Sequence, residues 1–270
     1  MYFIDGMVSP LATRRNTNAQ KQTGVIMKKI VLAALLAGFT LSATAAETVR
    51  FAASATYPPF ESLDAGNQIV GFDIDLANAL CKQIQATCSF TNQAFDSLIP
   101  ALKFRRYDAV ISGMDITPER SKQVAFTQPY YANSAIVIAQ KGKYHSLANL
   151  KGKRIGMENG TTHQKYLQDT HPEVKTVPYD SYQNALIDLK NGRLDGVFGD
   201  TAVVNEWLKT NPELATVGEK VTDEAYFGIG LGIAVRPDNQ ALLEKLNNAL
   251  AAIKANGTYK AINDKWFPQQ

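Results

Sequence analysis

The sequence is poor in the groups that carry covalent, redox or metal chemistry. Its 270 residues include two cysteines and three histidines. Cys81 and Cys88 are not in a C-x-x-C arrangement, and His145, His163 and His171 lack the spacing of metal ligands. There is no G-x-S-x-G and no Cys/His pair, so nothing supports a hydrolase or a metalloenzyme, and neither a cofactor nor a metal is expected. Long apolar runs are also missing. Ile30–Ser42 spans only about 13 residues, too few to cross a bilayer as a helix.

That run has another use. Lys28-Lys29 precede it and Ala43-Thr44-Ala45 follow, giving the basic start, apolar middle and small-residue end of a secretory signal. Residues 27–45 are therefore expected to be removed, with cleavage after Ala45 or Ala46. Residues 1–26 form a polar leader of a kind signals seldom carry. They are read as an upstream extension, the true start being Met27, with a long natural leader as the alternative. A charge excess is missing too. The formal +3 resides in the first 45 residues, because residues 46–270 hold 23 Lys and Arg against 24 Asp and Glu. No electrostatic case for nucleic acid or an anionic membrane survives. Export would put Cys81 and Cys88 in an oxidising compartment, where a disulfide contributing about 2–3 kcal/mol is favoured over two buried thiols.

What is present is alternation. Val49–Ser54 reads as a strand, and Gly71–Ala86 as a helix with Ile74, Ala77, Leu80, Cys81 and Ile84 on one face. Phe90–Gln93 is a strand, Asp96 caps a helix, and Tyr107–Met114 is a buried strand. The second half continues with strands at 154–158, 176–179, 194–199 and 226–235, and helices at 161–169, 181–191, 200–210, 238–256 and 259–266. Strands alternating with helices imply mainly parallel sheets covered on both faces. No internal sequence repeat is detectable.

The most informative stretch is Tyr107–Tyr131. Its strand runs out into Ser112-Gly113-Met114-Asp115, followed by Thr117, Pro118 and the lone Arg120. G-M-D-I-T-P-E-R followed by F-T-x-P-Y-Y resembles the polar-amino-acid solute-binding proteins of bacterial ABC importers, and the resemblance extends over nearly all of the chain after residue 46. It implies an α/β, two-lobed periplasmic binding protein fold (type II), each lobe a mainly parallel sheet flanked by helices, with the ligand in the cleft. The first lobe would comprise residues 46–134 and 233–270, the second 135–232, with a hinge near 133–137 and 228–232. It further implies a monomeric receptor, not an enzyme, that closes on free L-arginine and delivers it to an importer of permease and ATPase subunits. A broader binder of lysine, ornithine or histidine, or a dehydratase-like enzyme on the same fold, are the alternatives.

In open α/β sheets ligands bind beyond the carboxyl ends of strands. Four such exits converge here: Ser54–Tyr57, Ser112–Thr117, Glu158–Thr162 and Gly199-Asp200. By the resemblance, Arg120 grips the α-carboxylate, joined by Thr161 and Thr162, which also read as a helix cap. Asp200, otherwise an N-cap, pairs with the α-ammonium, together with the Gly113 carbonyl and Asp115. Tyr57 and Phe95 match an aromatic pair that sandwiches the side chain. Relatives that bind cations often carry an acid at position 54. Here it is Ser54, and Glu158 is expected to supply the missing carboxylate, with Asp115 as its competitor for that role. Ser112 and Thr117 complete the candidate set. His163 and Gln164 are expected on a solvated helix face, with the rim of the pocket as the alternative.

Overall fold

A computed structural model describes residues 47–268. The leader and signal readings on residues 1–45 lie outside them.

Two five-stranded sheets organise the described chain. In the first, β1 (Thr48–Ala53) pairs in parallel with β5 (Thr87–Asn92) on one side and β6 (Ala109–Val110) on the other. Antiparallel β13 (Ala234–Val235) and β7 (Ala125–Phe126) extend it. In the second, β9 (Arg154–Glu158) lies in parallel between β10 (Lys175–Tyr179) and β11 (Gly196–Asp200). Antiparallel β8 (Ala135–Gln140) and β12 (Leu214–Val221) follow. The orders β5-β1-β6-β13-β7 and β10-β9-β11-β8-β12 are the same pattern twice. The chain leaves the first sheet after β7, builds the whole of the second, and returns to place β13 beside β6.

The helices follow the same correspondence. α1 (Phe72–Gln83) connects β1 to β5 by way of a small sheet of β2 (Thr56–Tyr57), β3 (Glu61–Leu63) and β4 (Ile69–Val70). α2 (Leu98–Lys103) leads to β6, and the single turn α3 (Pro118–Ser121) precedes β7. In the other lobe, α4 (Thr162–Thr170) and α5 (Tyr182–Lys190) occupy the equivalent crossovers, and α6 (Thr201–Thr210) leads to β12. α7 (Gln240–Ala255) and α8 (Thr258–Trp266) then close over α1. The apolar stripe of α1 buries Ile74, Ala77, Leu80 and Cys81 as its spacing predicts. Phe72, Phe60 and Tyr131 pack ring on ring with Phe267 and tie the end of the chain to the first lobe. Cys81 and Cys88 form a disulfide between α1 and β5.

The repeat that the sequence hides is plain in side-chain bonding. Arg50, in β1, bonds through its backbone N–H and its guanidinium to Asp108, just before β6. Arg154, opening β9, does the same to Asp195, just before β11. Y-D-A-V and L-D-G-V are thus equivalent segments, too short and too diverged to register as a repeat.

Several sequence expectations need correction. The strand expected over Tyr107–Met114 has ladder pairing only at Ala109–Val110, because its continuation turns sharply at Gly113, whose φ is 48°. The strand expected over 226–235 is confined to Ala234–Val235, with single bridges joining Leu231 to Asp115 and Tyr131. Gly230 (φ 103°) explains the break, since a Cβ there would lie 2.4 Å from the Tyr131 carbonyl oxygen. Asp96 caps no helix. It sits inside the 3-10 turn Phe95–Ser97, and its carboxylate instead accepts from Asn159 Nδ2 at 2.8 Å. β7, β8, β12 and the β2–β4 sheet were not anticipated.

Candidate functional site

The carboxyl ends of β1, β6, β9 and β11 face one another between the lobes. Tyr57, Phe95, Gly113, Asp115, Glu158, Thr161, Thr162 and Asp200 surround one cavity there, with Glu61, His163 and Tyr182. The space among them is about 10 Å³, the room of a single water molecule. The lobes therefore meet through direct bonds. Ser54 Oγ donates to Glu158 Oε1 at 3.0 Å, Thr162 Oγ1 donates to Asp115 Oδ2 at 2.7 Å, and the Asp200 N–H donates to Tyr57 Oη at 2.8 Å.

Buried acids line the cleft. Asn133 Nδ2 donates to both Asp115 Oδ1 and Asp200 Oδ1, each at 2.7 Å, so a single carboxamide nitrogen stands between two buried carboxylates. Asp200 occupies the N-cap position of α6 but makes no side-chain cap bond, which leaves its carboxylate facing the cleft. Burial, and then the neighbouring Asp200 charge, raise the Asp115 carboxyl to about 7, against the opposing pull of Arg120. Glu158 is similarly raised to about 7 by burial, partly offset by hydrogen bonds from Ser54 and Thr56. It is 3% exposed. A cation entering the cleft would offset the cost of burying these acids.

The cation of the cleft stands beside Asp115. Thr117 caps α3 by accepting the Arg120 N–H, and this turn aims the Arg120 side chain inward. Its guanidinium donates to the backbone carbonyls of Asp115 and Gly160 and lies 5.4 Å from the centre of the Phe95 ring. Among the described residues no carboxylate forms an ion pair with it, so its charge is free for an incoming carboxylate. Thr117, Arg120, Thr161 and Thr162 also border an outer cavity of about 370 Å³ that opens beside Glu119 and Lys165. Thr161 caps α4, accepting from Gln164 N–H while donating to the Glu158 carbonyl. The floor of the cleft is Gly113, where a Cβ would come within 3.3 Å of the Tyr57 ring.

The chain matches the family described as "Bacterial extracellular solute-binding proteins, family 3" over residues 49–269. It belongs to that family. It is 79% identical over 243 residues to "ABC transporter arginine-binding protein 1" of Escherichia coli (strain K12), covering 90% of this chain and 100% of that protein. It is 42% identical over 251 residues to "L-arginine-binding protein" of Pseudomonas aeruginosa, covering 89% and 97%. Among solved structures, a Salmonella typhimurium periplasmic binding protein described for its high arginine specificity is 59% identical, with a TM-score of 0.80 over 82% of this chain and 100% of that one. An ancestral amino-acid-binding protein, described as a precursor of cyclohexadienyl dehydratase, is 31% identical with a TM-score of 0.74, covering 82% and 95%. The two-lobed α/β fold is shared with these family members.

Set beside the sequence reading, the structure gathers most of the candidate residues at one cleft and places Ser112 and His163 differently. The Ser112 hydroxyl points below the floor, where it donates to Glu61 and accepts the Ser54 N–H. Tyr57 and Phe95 both border the cavity, and Tyr57 also stacks on Tyr182 at 4.9 Å. His163 is 3% exposed and lies behind Asp200, its Nε2 3.1 Å from Oδ1 but off the line of a hydrogen bond, which corrects the solvated-face expectation. Asp115 sits beside Asp200, whereas Glu158 holds the β1 side of the cleft with Ser54. Glu61 and Tyr182 were missed. Tyr182 at the start of an amphipathic helix carries no signal that separates a cleft aromatic from a core one.

Proposed function

We propose that this protein is an exported receptor that captures L-arginine between its lobes in the periplasm and presents it to an ABC importer. The reading rests on the division of charge in the cleft. Arg120, paired with no carboxylate, stands beside Asp115 and Asp200, and Glu158 stands apart from them on the β1 side. An amino acid with a cationic side chain has one carboxylate and two cations, and this arrangement has a partner for each. Arg120 with Thr161 and Thr162 takes the α-carboxylate, and Asp200, Asp115 and the Gly113 carbonyl take the ammonium. Glu158 takes the guanidinium, with Tyr57 and Phe95 bordering the side chain. The relatives' names as arginine-binding and ABC transporter proteins support capture over turnover. The lobes would rotate about the crossings at 133–137 and 228–232, and ligand favours closure by binding the closed form better.

Calorimetric titration of protein first unfolded and refolded, to strip carried-over ligand, tests this. L-arginine should bind tightly, with lysine, ornithine, histidine and glutamine weaker. Equal binding of lysine would restrict the reading to charge alone. Binding of none would overturn it.

A further inference from the structure

Beneath the cleft floor lies a second group of buried acids that the ligand reading does not use. Glu61, opening β3, and Asp73, in the first turn of α1, are 1% and 0% exposed. Glu61 Oε1 accepts from the Ser112 hydroxyl at 2.8 Å. Asp73 Oδ2 accepts from the Gly113 N–H at 2.8 Å and from the Tyr130 hydroxyl at 2.9 Å. Taken as carboxylates, Glu61 Oε2 and Asp73 Oδ1 are each buried without a donor. Their anchors, the Ser112 hydroxyl and the Gly113 N–H, belong to adjacent residues, so the two carboxyl groups lie side by side, and a proton on one would give both bare oxygens a partner.

We propose that Glu61 and Asp73 share one proton and act together as positioning residues, holding the Ser112-Gly113 turn so that the Gly113 carbonyl faces the ligand ammonium. Glu61 donates and Asp73 accepts. The pair bears one negative charge, which the Gly113 N–H and the Tyr130 hydroxyl stabilise. Ser112 carries the effect further, because it also accepts the Ser54 N–H, and Ser54 Oγ donates to Glu158 in the other lobe. Loss of the shared proton would set two carboxylates against each other in a buried site and push the turn out of place.

The ionisable groups facing the pair are Glu158 from β9, Tyr130 after β7, and Tyr259 from α8. None is a cation, and among the described residues neither acid has an ion-pair partner. Burial raises both acids, Asp73 to about 7 and Glu61 well above its ordinary range, where the adjacent Asp73 charge adds to the effect. Both shifts favour retention of a proton by the pair.

Infrared difference spectra test the proton directly and need no ligand. At neutral to mildly alkaline pH, wild type minus Glu61→Gln should show the carbonyl stretch of an un-ionised carboxyl. Asp73→Asn, whose carboxamide would donate to an ionised Glu61, should remove the same band. Absence of the band in both differences overturns the proposal. The second arm rests on the arginine reading. Glu61→Leu should lower arginine affinity about tenfold, and Glu61→Gln should restore it. As pH rises, wild-type affinity should fall relative to Glu61→Gln measured at the same pH, a ratio from which the ligand's own ionisation cancels. A flat ratio, or no rescue by Gln, overturns the positioning role. A positive infrared band in a protein that binds no arginine at all would count against the ligand reading and leave the shared proton standing.

Discussion

At the ends of β6 and β11 away from the cleft, Asp108 and Asp195 are each gripped by an arginine of the neighbouring strand, in partial contact with solvent. At the cleft ends of the same two segments, Asp115 and Asp200 are buried side by side with only Asn133 between them. The arginine hydrogen bond holds Asp108 below the usual carboxylate range, and at Asp195 the Arg154 contacts outweigh burial and lower it too. Burial instead lifts Asp115 and Glu158 to about 7. One residue type thus serves both purposes. Where an arginine grips the acid, the acid supports the fold; at the cleft, burial without such a grip weakens the fold and leaves Asp115, Asp200 and Glu158 for a ligand.

The sharpest way to break that comparison is to neutralise each end in turn. Asp200→Asn or Arg120→Met should weaken arginine binding by about 100-fold or more, the effect of losing a buried charge pair. Asp108→Asn and Asp195→Asn should leave calorimetric affinity unchanged. An affinity loss in either far-end variant would show that the two ends are not separable.

The disulfide also belongs to the far end, where Cys88 opens β5. Replacing Cys81 and Cys88 together with serine should lower unfolding stability by about 2–3 kcal/mol without altering affinity. A denaturation midpoint equal to wild type would refute it.

Glu158→Gln sharpens the contrast, because its two effects should have opposite signs. Arginine affinity should fall by at least about 1 kcal/mol. A carboxyl raised above its unfolded value is most favourable to folding at low pH, and that contribution is lost as pH rises through about 7. The ligand-free variant should therefore unfold at a higher temperature than wild type at pH 8, and the gain should vanish at pH 5. Stability lost at pH 8 would mean the ionised Glu158 is better solvated than its burial indicates. Wild-type affinity should likewise decline as pH falls below about 7, since Asp115 and Glu158 must shed protons to meet cations. Calorimetry in buffers of different ionisation enthalpy would register that release.

The smallest effect expected is the stability change in Asp108→Asn or Asp195→Asn, about 1 kcal/mol or less after solvent screening. A lowered carboxyl has the opposite sign. Its contribution is present above the ordinary carboxylate range and disappears as pH falls through the lowered value, so the deficit of these variants should shrink in acid.

The alternation of strands and helices was legible because apolar periodicity reports burial directly, as α1 illustrates. Short segments whose shape is set by contacts distant in sequence were not. Gly113 and Gly230 end strands by turning the backbone, and the residues that require the turn lie in other elements. The cleft end of the site could be read at Arg120, Asp115 and Asp200 only through the resemblance, since each residue alone fits a loop charge or a cap. Glu61 and Asp73 could not be paired from sequence, because their partnership depends on a proton and on packing between β3 and α1. His163 looked polar and therefore exposed, whereas a histidine is apolar enough to pack against Phe198 and Phe227.

The path of the chain through the sheets also sets an order of events during synthesis. β8 to β12 follow one another without interruption, so the second sheet has all its strands as soon as Val221 has been made. The first sheet begins earlier and finishes later. Its strand between β6 and β7 is Ala234–Val235, and the helices that cover α1 come later still. On a growing chain the part made first must wait for the part made last, with β6 and β7 unjoined throughout the interval. Such long-range pairing is slow and aggregation-prone. The vulnerable species in biogenesis is therefore a nascent chain with a finished second lobe and an open first one.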